Sequence, residues 1–230
     1  MKIVFEKVSK NFASQNVVAG VSLTIDSGEF VAVTGPSGCG KSTLLNLIAG
    51  LETASQGRVL VGPTDMGQVR PDARDRFRLE TMGFVFQFFH LLPTLNVLEN
   101  VCLPAFEKFP KQTRTLEQEA RRLLEQLGLG ADLHKYPRQL SGGMQSRAGF
   151  ARAILMRPQV MLADEPTGSL DSASGEALMA ALVDFHRSHS STLVLVTHDQ
   201  KAATMANRRL HMLDGRIDCQ MESQSANGAE

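Results

Sequence analysis

The chain contains no tryptophan, one tyrosine and only three cysteines among its 230 residues. Cys39, Cys102 and Cys219 stand far apart, without the spacing of a metal site, and their odd number does not make a disulfide framework. That usage points to a reducing cytosol. Charge of one sign is equally missing: Lys and Arg total 24, and so do Asp and Glu. No net field exists to gather nucleic acid or an acidic membrane, so no nucleic-acid partner is expected. No apolar run approaches the roughly 20 residues needed to cross a bilayer, and the opening Met1-Lys2-Ile3-Val4-Phe5-Glu6 is too charged for a secretory leader. Any membrane role must come through a partner. What remains is an ordinary globular composition, 43% hydrophobic, with enough apolar surface for a core.

The stretch from Val31 to Leu51 is the most informative. An apolar run, Val31-Ala32-Val33, leads through Gly35-Pro36-Ser37-Gly38-Cys39-Gly40-Lys41-Ser42-Thr43 into a helix-prone segment. This is strand, phosphate loop, helix. The glycines let consecutive N–H groups curl toward an anion, and the helix that follows aims its positive end at the same point. Lys41 can reach the outer phosphates as a mobile charge, and the Ser42 hydroxyl suits a magnesium ion bridging them. A thiol in such a cradle, that of Cys39, should be reactive toward maleimides if it is partly exposed.

Around this loop, short apolar runs at Ile3 to Val8, Val17 to Ile25, Phe30 to Val33 and Arg58 to Val61 read as strands, some pairing as hairpins. Residues 63 to 82 are polar and basic, with Arg70, Arg74, Arg76 and Arg78 spaced for a solvated helix face. Gly83 to Gln87 reads as a buried strand ending on a polar residue. From Phe88 to about residue 158 the pattern turns helical, beginning with the aromatic, leucine-rich Phe88-Phe89-His90-Leu91-Leu92-Pro93. One amphipathic helix spans Thr113 to Leu127, and another runs from Ser141-Gly142-Gly143 to Arg157, where Pro158 stops it. Strand-like segments then recur at Val160 to Ala163, Thr192 to Thr197 and Arg209 to Leu213, with a helix from about Ser174 to Ser188. The expected architecture is α/β: a P-loop core with a mostly parallel sheet, an N-terminal antiparallel β subdomain and an inserted helical subdomain. The boundaries are 1–87 and 159–218 for the core, 88–158 for the insert, and a polar tail over 219–230.

Two further groups carry chemistry. Val160 to Ala163 delivers Asp164 and Glu165 at the C-terminal edge of a strand, where ligands sit in open α/β sheets. Asp164 suits a magnesium site, and Glu165 suits polarising a water for in-line attack on a terminal phosphate. Ser141-Gly142-Gly143 supplies a second cradle: an N-cap hydroxyl, two small residues and the free N–H groups of a helix start. One chain thus carries two phosphate-seeking helix ends.

In order and spacing, the P-loop, Leu140-Ser141-Gly142-Gly143, Leu162-Ala163-Asp164-Glu165-Pro166-Thr167, Ser169-Leu170-Asp171 and Thr197-His198-Asp199 resemble the nucleotide-binding domains of ABC transporters. The likeness covers about residues 2 to 218. Phe84-Val85-Phe86-Gln87-Phe88-Phe89 and Val97-Leu98-Glu99-Asn100-Val101 resemble the subgroup of lipoprotein-releasing and macrolide-exporting ATPases. The resemblance implies ATP and Mg2+ as cofactors and a head-to-tail homodimer, in which Gly35 to Thr43 of one chain faces Ser141, Gly142 and Gly143 of the other. It implies that Gln87 touches the metal and senses a membrane partner, that His198 contacts the terminal phosphate, and that Asp171 crosses the dimer interface. Phe12 stands where such domains stack a ring on adenine. One departure is Met144, where the family commonly has Gln; weakened contacts are expected there, without loss of activity.

The resulting expectation is the ATPase subunit of a membrane ABC complex, on the cytoplasmic face of the inner membrane, with a permease subunit docking near Gln87 and Phe88 to Leu92. A soluble ABC ATPase working on DNA or ribosomes is the alternative. Such relatives usually carry coiled-coil insertions or a second cassette, which this chain lacks. A small-molecule P-loop kinase would leave Ser141-Gly142-Gly143 and His198 unexplained.

Overall fold

A computed structural model describes residues 1–13, 15–108 and 113–222. In chain order the strands and helices are β1 (Ile3–Phe12), β2 (Gln15–Ile25), β3 (Phe30–Thr34), α1 (Lys41–Ala49), β4 (Gln56–Val61), β5 (Thr64–Asp65), α2 (Pro71–Thr81), β6 (Met82–Phe86) and α3 (Val97–Lys108). They continue with α4 (Thr113–Gln126), α5 (Gly142–Ile154), β7 (Val160–Asp164), α6 (Ser172–His189), β8 (Thr192–Val196), α7 (Gln200–Thr204), β9 (Arg208–Leu213) and β10 (Arg216–Glu222). The chain packs as two compact units, Met1–Arg74 with Ser190 onward, and Asp75–His189. No helix among the described residues is long and apolar enough to cross a membrane.

In the first unit, β1 lies between β2 and β4, antiparallel to both, with Ile3 opposite Ile25 and Val61, and Phe5 opposite Leu23 and Val59. Alternation places Ile3 and Phe5 inward, as a sheet with one covered face requires, and a register shift around Lys7, at φ 48°, brings Val8 to the same face. β3 has no alternation: all five residues are buried, and its neighbours β8 and β9 run parallel to it. A strand covered on both faces has to be continuously apolar, which is why Phe30 to Val33 was legible as a run. The α/β class, the antiparallel N-terminal sheet and the mostly parallel strands are as expected.

The second unit pairs β6 with β7 in parallel, Phe86 opposite Asp164, and packs helices beside them. α3, α4 and α5 share one apolar core containing Val97, Val101, Leu124, Ala148 and Ala151. Fully buried Asn100 pins the segment before α3: its Oδ1 accepts from Leu92 N at 2.7 Å, and its Nδ2 donates to the carbonyls of Leu92, Leu95 and Asn96. Asn96 and Glu99 cap the helix reciprocally, at 2.9 and 2.8 Å.

β6 goes with the second unit because it is bound to β7 and lies close against α5; a Cβ on Gly83 would come within 2.5 Å of the Ala153 carbonyl oxygen. One expected boundary is corrected. The tail does not begin at Cys219: β10 extends to Glu222, antiparallel to β9, with Cys219 opposite His211. Asp214 and Gly215, both at positive φ, form the tight turn between them. The rest of the expected tail, residues 223–230, lies outside the described residues. The basic segment is solvated only in part: Arg70 and Arg76 are outward, but Arg74 is half-buried and donates to the Met66 carbonyl, and the Arg78 side chain, paired with Asp75, is only 19% exposed.

Candidate functional site

The first unit builds the P-loop from the back forward. Gly35, Gly38 and Gly40 have φ of 145°, 80° and 106°, values that a residue with a side chain rarely adopts. Two of them also have no room. A Cβ on Gly35 would stand 2.1 Å from the Met212 carbonyl oxygen, and one on Gly40 would stand 2.4 Å from that of Val17. Gly215 completes this rear wall: its N–H donates to the Cys39 carbonyl, and its own carbonyl accepts from Ala19 N. At Gly38 an added Cβ meets nothing within 4 Å, so the loop is open there. Pro36, Ser37 and Gly38 form the exposed crest, and Cys39 is only 6% exposed.

Lys41 and Ser42 open α1. The Lys41 ammonium donates to the carbonyls of Gly35 and Pro36, both at 2.9 Å, so it sits against the loop that it would serve. Ser42 is exposed at the first turn, and Thr43 is half-buried behind it. The exposure that would make Cys39 a maleimide target is missing: the residue is buried, its sulfur turned toward Gly35.

β8 runs beside β3 in parallel, Val196 opposite Val33, so both strands end at one sheet edge. The P-loop leaves from the end of β3 and His198 from the end of β8, at that same edge. Buried Thr197 fixes the exit: its N–H donates to the Val33 carbonyl, and its hydroxyl accepts from Asp199 N at 3.0 Å. His198 is exposed beyond it. Phe12 ends β1 with 43% of its surface exposed and Lys10 Nζ 4.8 Å from its ring centroid. It is therefore not a core aromatic.

The second unit brings Gln87, Asp164 and Glu165 to the same end of the β6–β7 pair. Glu165 has φ 46°, a left-handed backbone uncommon for a residue with a side chain. The next turn closes on Gln87: Ser169 Oγ donates to the Gln87 carbonyl at 2.7 Å, and a Cβ on Gly168 would lie 3.0 Å from Gln87 Nε2. From α5, Arg152 donates to the carbonyls of Phe89 at 2.8 Å and His90 at 2.6 Å. Burial pulls this guanidinium below its ordinary pKa. Arg152 was not singled out in sequence, and Ser169 entered only as part of the Ser169-Leu170-Asp171 motif, because each acts on backbone oxygens far away along the chain.

Ser141 is the N-cap of α5 and accepts from Met144 N at 3.3 Å. Ser141 and Gly142 are exposed, and Gly143 faces α6. Met144 contributes its backbone to the cap, and its side chain packs on the helical core. The neighbouring Gln145 turns inward, its Nε2 donating to the carbonyls of Pro137 and Leu140. Asp171 caps α6, accepting from the Ser174 N–H at 2.9 Å and its hydroxyl at 2.8 Å. Those two bonds, the backbone one first, hold its carboxyl below the usual range.

Within the second unit, the Gln87 amide and the Asp164 carboxylate are hard oxygen donors at the same end of the β6–β7 pair.

Comparison with known proteins identifies the family. The ABC transporter family model matches residues 18–168. The lipoprotein-releasing system ATP-binding protein LolD of Anaeromyxobacter dehalogenans is 46% identical over 87% of this chain and 84% of its own length. The macrolide export ATP-binding/permease protein MacB of Sodalis glossinidius is 43% identical over 94% of this chain, which spans 33% of that longer protein. Among solved structures, a post-hydrolysis dimer of the ATP-binding cassette MJ0796 bound to ADP and Pi superposes with a TM-score of 0.87 at 33% identity, covering 97% of this chain and 99% of that one. The chain belongs to the ABC transporter family, as one of its ATPase cassettes.

Proposed function

We propose that the chain hydrolyses ATP as a head-to-tail homodimer and drives an integral-membrane partner from the cytoplasmic face of the inner membrane. The observation that carries this reading is the pair of cradles in one chain, Gly35 to Thr43 before α1 and Ser141 to Gly143 before α5. Each contributes to a different ATP site, so a single chain holds half of two. Within a site, Lys41 and the P-loop N–H groups neutralise the outer phosphates, while Ser141, Gly142 and Gly143 of the second copy close the opposite side. Asp171 lies at that interface. Glu165 polarises the attacking water, and His198 steadies the terminal phosphate. Phe12 stacks on the adenine. Ser42, Gln87 and Asp164 would hold Mg2+, which supplies charge neutralisation on the phosphates.

The membrane partner docks in the second unit. A groove of about 500 Å³ there is lined by Phe84, Phe86, Leu103, Pro104 and Met156. Beside it along the chain, Phe88 is 67% and Leu92 43% exposed, an apolar surface suited to a short helix of a permease subunit. LolD and MacB are by name a lipoprotein-releasing and a macrolide-exporting protein. Work on a lipoprotein or an exported compound is accordingly proposed for this chain.

The test uses Glu165→Gln, which should bind ATP without turning it over. Light scattering should show ATP converting this variant from monomer to dimer. Adding Ser141→Arg should abolish the shift while a fluorescent ATP analogue still binds. Dimerisation that survives Ser141→Arg would remove the trans cradle, and a nucleotide-saturated monomer would remove the homodimer.

A further inference from the structure

Within the second unit, one short segment is held by two elements. Residues 87–90 have three of their carbonyls claimed by side chains from elsewhere: Gln87 by Ser169, and Phe89 and His90 together by Arg152. His90 takes φ 46° and sets its ring edge-on to Phe86 at 5.0 Å. Such a backbone is unfavourable for a residue with a side chain, so it persists because its neighbours determine it. Arg152 is the main determinant, since its fork spans two successive carbonyls from one side. One turn earlier on the same helix face, Gly149 brings α5 close: a Cβ there would lie 3.5 Å from both Cβ and O of Phe89.

The helix that carries Arg152 begins at Ser141. Eleven residues separate them, about 16 Å along a rigid rod. We propose that Arg152 is a positioning residue that ties the exposed Phe88 segment to the Ser141-Gly142-Gly143 cradle at the far end of α5. The inference rests on the homodimer reading and goes beyond it. ATP held by a second copy fixes the start of α5, and Arg152 passes that order to the Phe89 and His90 carbonyls. The reverse also holds by linkage, since a partner seated on Phe88 orders α5 and raises the affinity of its N-terminus for nucleotide. The Phe88 segment thus responds to the ATP bound by the opposite copy, a route distinct from the Gln87 side chain.

Hydrogen exchange on the Glu165→Gln homodimer, with and without ATP, tests this. The amides of residues 87–92 should slow by about tenfold when ATP closes the dimer. With Arg152→Gln added, closure by light scattering should persist, and the ATP-dependent slowing should fall below about twofold. Arg152→Lys keeps the charge and can reach only one carbonyl at a time, so it should give an intermediate value. It also serves as the measurement if the Gln variant does not fold. If Arg152 merely stiffens the segment, its loss will speed exchange with and without ATP alike and leave the tenfold ratio intact. That result overturns the proposal. A Glu165→Gln chain that stays monomeric in ATP is a different failure, of the homodimer reading, and takes this inference with it.

Discussion

Gly143 lies so close to Ser174 that an added Cβ would stand 2.6 Å from the serine Oγ, whereas at Gly142 the nearest atom would be Leu170 Cδ2 at 3.9 Å. The two glycines of one cradle therefore have different reasons to be glycine. Gly143→Ala should displace the Ser174 hydroxyl from Asp171 and cost about 1–2 kcal/mol, partly restored by Ser174→Gly. Gly142→Ala should fold at least as stably, because alanine favours a helix, yet lose ATPase activity through its new methyl group on the exposed side. Urea melts and ATPase assays on the same samples will separate the two effects.

Glu165 combines a reactive role with an unfavourable backbone. Glu165→Gln should lower turnover by about a hundredfold or more with ATP affinity retained. Glu165→Gly should be equally inactive but stabilised by about 1 kcal/mol, since glycine accepts φ 46° without strain. A destabilised glycine variant would show that no strain is stored there.

Burial pushes the Cys102 thiol up from 9.0 to about 11. A raised pKa means that the folded chain prefers the neutral thiol. The stability this contributes is complete below pH 9 and is lost as pH rises toward 11. Urea unfolding at pH 8, 9 and 10.5 should therefore show a steeper decline for the wild-type chain than for Cys102→Ala. Parallel curves would contradict it.

Asn100 is buried with both ends of its amide engaged. Asn100→Leu fills similar space but strands the Leu92 N–H and the Leu92 and Leu95 carbonyls. The loss should be about 3 kcal/mol, with faster amide exchange over residues 92–96. A loss below about 1 kcal/mol would mean that the segment finds other partners.

Motifs that act through their own backbone were legible: the P-loop, the Asp164-Glu165 strand end and the Ser141 cap each occupy a few consecutive residues. Parts that depend on distant oxygens were not. Nothing in Val17 or Met212 marks the rear wall of the loop, because any residue supplies a carbonyl there, and Arg152 reads as one more charge on an amphipathic helix. β10 was missed although Asp214-Gly215 is a hairpin signal, because the polar residues around Ile217 and Cys219 masked the alternation. Phe12 needed the structure to separate a surface ring from a core one.

The rear wall of the P-loop has a consequence for how the chain tolerates change. Its contact to Gly35 comes from the main-chain oxygen of Met212 and its nearest contact to Gly40 from that of Val17, while the buried Met212 side chain adds a second contact to Gly40 through Cε. Sequence drift at the half-buried Val17 is thereby decoupled from the shape of the nucleotide loop. The glycines, Met212 and the strand register that delivers those oxygens are held fixed.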